Sequence, residues 1–184
     1  MLEPIDAFRA KAKTMDLATF CKSLGGPVLL RRETIDGDVS FADREGSIAP
    51  PRPGATLRFE PDLARLQERL ERPTQPGHTA VPEEVFALAG GARSSIAVGR
   101  APDNDLVLND PSVSQHHARL NHVVGTDWVF ATDLGSRNGT GHNDRLVANS
   151  ERIELAAGDE ICFGSQLFIF LRARDLYLYL AGKR

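Results

Sequence analysis

The residues with the clearest chemical capacity in this 184-residue chain lie in three short polar stretches. Val98-Gly99-Arg100 closes a β-like run with a glycine and a lone arginine. Val113-Ser114-Gln115-His116-His117 leads into the next long β-like run, and Asp133-Leu134-Gly135-Ser136-Arg137-Asn138-Gly139-Thr140 forms a polar turn further on. Together they offer a guanidinium, small hydroxyls, an amide and glycine-exposed backbone N–H groups, which is an inventory for binding an anion. Arginine presents a planar fork of donors matched to phosphate oxygens. Serine adds a compact donor, and asparagine can pair with a peptide backbone through both halves of its amide. A doubly charged phosphate suits such a solvated loop site better than a weak carboxylate does.

Other chemistries fit these residues less well. Ser114 and His117 stand at a spacing that reads as a nucleophile with its base, but no acid, oxyanion loop or nucleophile elbow accompanies them, so no enzyme activity is expected. His116, His117 and His122 invite a metal reading. Metal ligands must converge, whereas adjacent strand residues point to opposite faces, so neither a metal nor another cofactor is expected. Taken alone, Arg100 reads equally as a surface arginine paired with Asp103 or Asp105. Trp128, Phe130, Phe163, Phe168 and Phe170 read as core and sheet-surface aromatics, because a stacking platform for single-stranded nucleic acid would interleave them with basic residues.

Charge and composition narrow the partners. Lys+Arg number 22 against 25 Asp+Glu, a net charge of −3, and from Glu83 onward acidic groups outnumber basic ones. A duplex-binding module gathers its cations on one face, so nucleic acid is not an expected partner. Uninterrupted aliphatic and aromatic runs such as Leu167 to Leu171 and Leu176 to Ala181 are far below the roughly 20 residues that cross a bilayer, so no membrane partner is expected. The N-terminal Met1-Leu2-Glu3-Pro4-Ile5-Asp6 is acidic where a secretory signal is basic. Cys21 and Cys162, the two cysteines, lack metal-ligand spacing and fit free thiols in a reduced compartment. A cytoplasmic location is expected.

The elements that must position the three stretches come from hydrophobic periodicity. From Val85 onward short β-like runs alternate with turn residues: Val85 to Ala89, Ser95 to Val98, Leu106 to Leu108, His117 to Val124, Trp128 to Thr132, Arg152 to Leu155, Glu160 to Phe163 and Leu167 to Arg172. Such spacing predicts an antiparallel sandwich or barrel. Upstream, Ile5, Phe8, Ala12 and Met15 recur at helical spacing, and Asp16 is placed to cap a second helix carrying Leu17, Phe20, Cys21 and Leu24, which Gly25-Gly26-Pro27 stops. Val28 to Leu30 and Ala55 to Phe59 read as short strands, and Pro61 opens a helix with a Leu63, Leu66 and Leu70 core-facing stripe. Arg72 to Thr79, with two prolines and a glycine, reads as a linker.

The pattern resembles the forkhead-associated (FHA) domain. Gly99-Arg100, Ser114-Gln115-His116-His117 and Asn138-Gly139 stand in the family's order over about forty residues, each element weak alone and the set strong in register. Pro102-Asp103-Asn104-Asp105-Leu106-Val107-Leu108, His117-Ala118-Arg119-Leu120 and Gly158-Asp159-Glu160-Ile161 agree with it. The resemblance covers roughly residues 82 to 172. It implies a mainly β fold, an antiparallel sandwich of about eleven strands whose end loops bind phosphothreonine peptides without catalysis. Carried over by position, Arg100 and Ser114 match the main phosphate contacts, Arg137 a residue that helps hold the phosphate, and Asn138 the side chain that fixes the peptide. Gln115 and Ser136 stand among the peptide-binding positions, and Gly99, His117 and Gly139 match residues that support the loops. After the turn, Gly141-His142-Asn143-Asp144 departs from the family's bulky apolar pair.

The expected organisation is therefore an N-terminal helix and strand extension of unassigned role over 1–72, a linker over 73–81, the sandwich over 82–174 and a short helix or tail over 175–184. The implied partner is a phosphothreonine-bearing Ser/Thr kinase or kinase substrate. The alternative is a phosphate-independent scaffold or dimerisation domain using another face. Thr74 and Thr79 in the linker are candidate phosphorylation sites whose modified side chains would fold back into the same site. Oligomeric state is not legible.

Overall fold

A computed structural model describes residues 1–36, 66, 69–88, 94–143 and 145–182. The expected strand at Ala55 to Phe59 and the expected helix start at Pro61, with Leu63, lie outside the described residues.

Local chemistry sets the N-terminal helices as expected. Helix α1 (Ile5–Thr14) buries Ile5, Phe8 and Ala12. In α2 (Leu17–Leu24) the Asp16 carboxylate accepts from the Thr19 N–H at 3.0 Å, satisfying a donor that a helix start leaves open. Gly25 ends the helix in the left-handed conformation at φ 74°, which a side chain disfavours.

Twelve strands among the described residues form two sheets. They are β1 (Glu3–Pro4), β2 (Val28–Ile35), β3 (His78–Ala87), β4 (Ser95–Gly99), β5 (Leu106–Val107), β6 (Ala118–His122), β7 (Val129–Asp133), β8 (Thr140–His142), β9 (Arg145–Leu146), β10 (Arg152–Leu155), β11 (Glu160–Phe163) and β12 (Gln166–Leu171). One sheet runs β1-β3-β2-β12-β11-β8-β9, the other β10-β7-β6-β4-β5. All pairings are antiparallel except β4 with β5, which is parallel, so the second sheet is mixed.

Alternation along the strands builds a core on each face of the larger sheet. Leu29, Phe86, Phe168 and Phe170 turn inward to meet Val98, Leu120, Ala131 and Ile153 of the second sheet. Their neighbours Val28, Leu30, Val85, Ile169 and Leu171 turn outward against Phe8, Phe20, Leu66, Leu70 and Leu176. A layer made of α1, α2, the side chains of Leu66 and Leu70, and α3 (Ala173–Leu180) thus covers the seven-stranded sheet. No helix among the described residues is long and apolar enough to cross a membrane.

The N-terminal half enters the sandwich itself. Strand β2 lies between β3 and β12, pairing with both, from Val28↔Leu171 to Thr34↔Gln166 on one side and from Val28↔Ala87 to Ile35↔His78 on the other. The expected linker over 73–81 becomes strand from His78, and the expected boundary at residue 82 falls inside β3. Charge hides this strand in the sequence. Arg31, Arg32 and Glu33 follow the apolar triplet and look solvated, yet Arg31 pairs with Glu84, Arg32 Nε sits 2.8 Å from Glu83, and Glu33 meets His78 at 2.8 Å. Thr79, within β3, donates its hydroxyl to Asp36 at 2.6 Å, which ties it to the sheet.

Candidate functional site

The loops that leave β4, enter β6 and leave β7 meet at one end of the sandwich. Gly99 must be glycine there. A Cβ on it would stand 2.1 Å from the Gln115 carbonyl oxygen, so any side chain pushes the first two loops apart. The Arg100 N–H donates to the Ser114 carbonyl at 2.9 Å and Ala101 to Gln115 at 3.1 Å. Asn104 completes the join: buried, it donates through Nδ2 to Ala101 O at 2.8 Å and to Gln115 O at 2.7 Å.

His117 braces the second loop against the third. It is fully buried. Its Nδ1 accepts from the Ser114 N–H at 3.1 Å, which leaves the proton on Nε2 to be donated to Gly139 O at 3.0 Å. Burial holds its pKa below the ordinary value, outweighing the Gly139 carbonyl and the Asp133 charge that favour protonation. The ring also meets Phe163 edge-on, with centroids 5.9 Å apart, and so links the loops to the core.

The third loop is shaped by Asp133. One carboxylate oxygen accepts from the backbone of Gly135 at 2.8 Å and of Ser136 at 2.9 Å, the other from the hydroxyls of Ser136 and Thr140, each at 2.6 Å. Burial alone would raise its pKa, but these hydrogen bonds prevail and hold it below the usual carboxylate value. The turn then reaches Gly139 at φ 79°, where a Cβ would come within 2.4 Å of Leu146.

Within this frame the phosphate-binding candidates converge. Ser114 Oγ accepts from the Arg137 N–H at 2.9 Å, so its own hydroxyl hydrogen is free to donate outward. Arg100 is exposed, with Nε on Val113 O at 3.3 Å. Its two terminal nitrogens have no protein partner among the described residues. Arg137 is exposed as well. Asn138 anchors its amide through Nδ2 to Ser112 O at 2.8 Å, which leaves Oδ1 as an acceptor.

Two candidates are placed differently. The Ser136 hydroxyl donates to Asp133 and shapes the turn. The Gln115 side chain is exposed while its carbonyl holds the Arg100 loop. His116 faces Asp103 at 4.0 Å on the surface, and His122 is buried with Nε2 on Thr126 O at 2.7 Å, so the three histidines do not act together. Three supporting residues were not singled out by motif: Asn104, Asp133 and Asp110, whose carboxylate holds the Ser112 N–H at 2.8 Å and the Ser112 hydroxyl at 2.5 Å. Asp-x-Ser and Asp-x-Gly-Ser spacing is the available signal for the last two, since a carboxylate readily caps N–H groups two and three residues on.

Known proteins similar to this chain match it across this region. Residues 96–164 match the family model of the FHA domain. The chain is 38% identical over 79 residues to an oxoglutarate dehydrogenase inhibitor of Corynebacterium diphtheriae, covering 43% of this chain and 52% of that protein. It is 40% identical over 60 residues to the FHA domain-containing protein FhaB of Mycobacterium tuberculosis, covering 33% and 37%. Against the glycogen accumulation regulator GarA of Mycolicibacterium smegmatis it is 39% identical over 75 residues, covering 41% and 44%. The chain thus spans about half or less of the length of these curated relatives. Among solved structures, the FHA domain of the CT664 protein from Chlamydia trachomatis is 31% identical, with 47% of this chain and 83% of that one covered and a TM-score of 0.42.

Proposed function

We propose that this chain, whose residues 96–164 match the FHA family model, binds phosphothreonine peptides as a non-catalytic adaptor in Ser/Thr kinase signalling in the cytoplasm. The observation that carries the reading is the convergence of Arg100, Ser114, Arg137 and Asn138 on one loop end, with donors left open and the loops locked by His117. Similarity to proteins named an inhibitor and a regulator supports a regulatory role without chemistry of its own.

Phosphorylation adds about −1.5 to −2 charges at pH 7. The phosphate meets the terminal nitrogens of Arg100 and the Ser114 hydroxyl, with Arg137 at its flank, while Asn138 holds the peptide backbone. Two or three charge-assisted hydrogen bonds at about 1.5–3 kcal/mol each, less several kcal/mol of ordering, give an affinity on the order of micromolar. Such binding is reversible. A glutamate offers one charge and two coplanar oxygens, and so substitutes poorly for a tetrahedral dianion. Threonine is preferred to serine if its methyl group enters an apolar notch, worth about 0.8 kcal/mol.

The test is fluorescence polarisation of a degenerate phosphothreonine peptide library against the wild type and Arg100→Ala, with unphosphorylated and phosphoserine libraries as controls. Phosphothreonine-dependent binding that Arg100→Ala abolishes supports the reading. Equal binding of the unphosphorylated library by a folded protein overturns it in favour of a phosphate-independent scaffold.

A further inference from the structure

Beneath the Asn138 turn the inner face of the larger sheet changes character. Leu29, Phe86 and Phe168 line the core, but two residues nearer the loop end, on the same strand faces, stand Arg31, Glu84 and Gln166. Gln166 is only 4% exposed. Its Nε2 donates to Asp110 at 2.8 Å, and its Oε1 accepts from Arg31 at 3.2 Å. Arg31 in turn pairs with Glu84 across the β2 and β3 ladder. From Asp110 the connection runs through the Ser112 hydroxyl and N–H, and then from the Ser112 carbonyl to the Asn138 amide at 2.8 Å. Ser165 adds a second hold on Ser112, with its N–H 2.9 Å from the Ser112 hydroxyl.

We infer that Gln166, oriented by Arg31, is a positioning residue for Asn138, so that strand β2, outside the family match, is part of the peptide-binding apparatus. The inference rests on the phosphopeptide reading above. Four observations carry it. The chain of hydrogen bonds is continuous from β2 to Asn138 and involves no solvent-exposed link at Gln166. Asp110 is held ionised, because hydrogen bonds from Ser112, Gln166 and Ser165 prevail over burial, which alone would raise its pKa. Gln166 is an amide with both ends used, donor toward the acid and acceptor from the cation, which fixes its orientation. Packing alone does not favour this arrangement, since Arg31 Nε is buried without a partner and an apolar side chain would avoid that loss.

Asn138 can fix a peptide backbone only if its amide plane is held while its Oδ1 faces outward. The Ser112 carbonyl supplies that hold, and the Asp110 carboxylate sets the direction of the carbonyl by closing the turn around Ser112. Removing the Gln166 amide frees the Asp110 carboxylate to rotate, and the Asn138 amide loses its fixed partner.

The experiment is a double-mutant cycle on the full chain, Gln166→Met with Asn138→Ala, with Arg31→Met as a second variant and thermal melting to establish that each protein is folded. Phosphothreonine peptide affinity is expected to fall about fivefold in Gln166→Met, with no further fall when Asn138→Ala is already present, since residues acting through one another are non-additive. Equal losses in the two backgrounds show a structural effect unrelated to Asn138 and overturn the inference, as does wild-type affinity in Gln166→Met. The side-chain amide resonances of Asn138 decide the matter independently of any ligand. They shift in both Gln166→Met and Arg31→Met if the relay exists, and stay in place if it does not. A wild type that binds no phosphothreonine peptide refutes the proposed function, while these resonances still decide the relay.

Discussion

The loop end around Arg100, Ser114 and Asn138 and the N-terminal strand β2 contribute to one sandwich in opposite ways. Within each loop the shape is set by short-range bonds whose partners lie two or three residues apart: Asp133 to Ser136, Ser114 to His117, Asp110 to Ser112. Strand β2 is held by residues about fifty positions away or more, with Arg32 on Glu83, Arg31 on Glu84 and Leu29 paired to both Phe86 and Phe170. Chemistry that depends on residue type and close spacing can be read along a chain. Membership of a sheet depends on distant pairing and cannot.

The sharpest way to break this comparison is to remove β2. A fragment of residues 82–184, which begins where the sandwich is expected to begin, loses the strand between β3 and β12 together with the first part of β3 and the helices α1 and α2. It is expected to show no cooperative thermal transition, because the core residues Phe86, Phe168 and Phe170 lose Leu29 and the outer face is stripped of its helical cover. A cooperative melt with retained phosphopeptide binding shows instead that the N-terminal half is an appendage.

The next two substitutions separate stability from recognition. Phe20→Ala in α2 empties a fully buried site in the helical layer and is expected to cost about 3–5 kcal/mol in urea unfolding. Peptide affinity of the folded protein should stay within about twofold of wild type, since Phe20 touches none of the loops. His117→Ala leaves the Ser114 N–H and the Gly139 carbonyl unpaired, at about 1–3 kcal/mol each. Its stability loss is comparable or smaller, but affinity measured well below its melting temperature should fall more than about tenfold. Equal effects of both substitutions on affinity remove the distinction between the two regions.

The smallest effect is in pH. His117 titrates near the ordinary histidine value of 6.5 when unfolded and lower when folded, because burial disfavours its charged form. The unfolded state therefore binds more protons in that interval, and stability rises with pH. The contribution is complete above about 6.5 and declines as pH falls through that value toward the folded pKa. Asp133, also depressed, adds its own loss only below the ordinary aspartate value of 3.8. Urea midpoints of ligand-free protein between pH 7 and 5 should show the slope in wild type and not in His117→Asn. Ligand-free stability is the suitable readout, because phosphate itself gains a proton near pH 6.

What was legible in the sequence follows the same division. Helix α2 announced both ends, through Asp16 and Gly25, and β10 and β11 fell where alternation placed them. Arg100, Ser114, Arg137 and Asn138 meet at one end as their motifs imply. Ser136 shares that motif but turns its hydroxyl inward to Asp133, a choice that residue type cannot reveal. The short strands β8 and β9 were missed because Gly141-His142-Asn143 shows no apolar alternation. Their hairpin turns at Asn143, φ 53°, whose Oδ1 accepts from the Arg69 guanidinium at 2.9 Å. The start of β3 was hidden for a similar reason, since His78 and Thr79 follow prolines and glycine and find their partners only in β2.

The most direct test of the recognition site is an NMR titration of the isotope-labelled full chain with a phosphothreonine peptide mixture and its unphosphorylated counterpart. Backbone shifts confined to residues 99–101, 112–117 and 136–139, and present only with the phosphorylated peptides, are the predicted result. Shifts on the helical layer or the outer face of the five-stranded sheet, or the same shifts with unphosphorylated peptides, would contradict the assignment of this loop end as a phosphothreonine site.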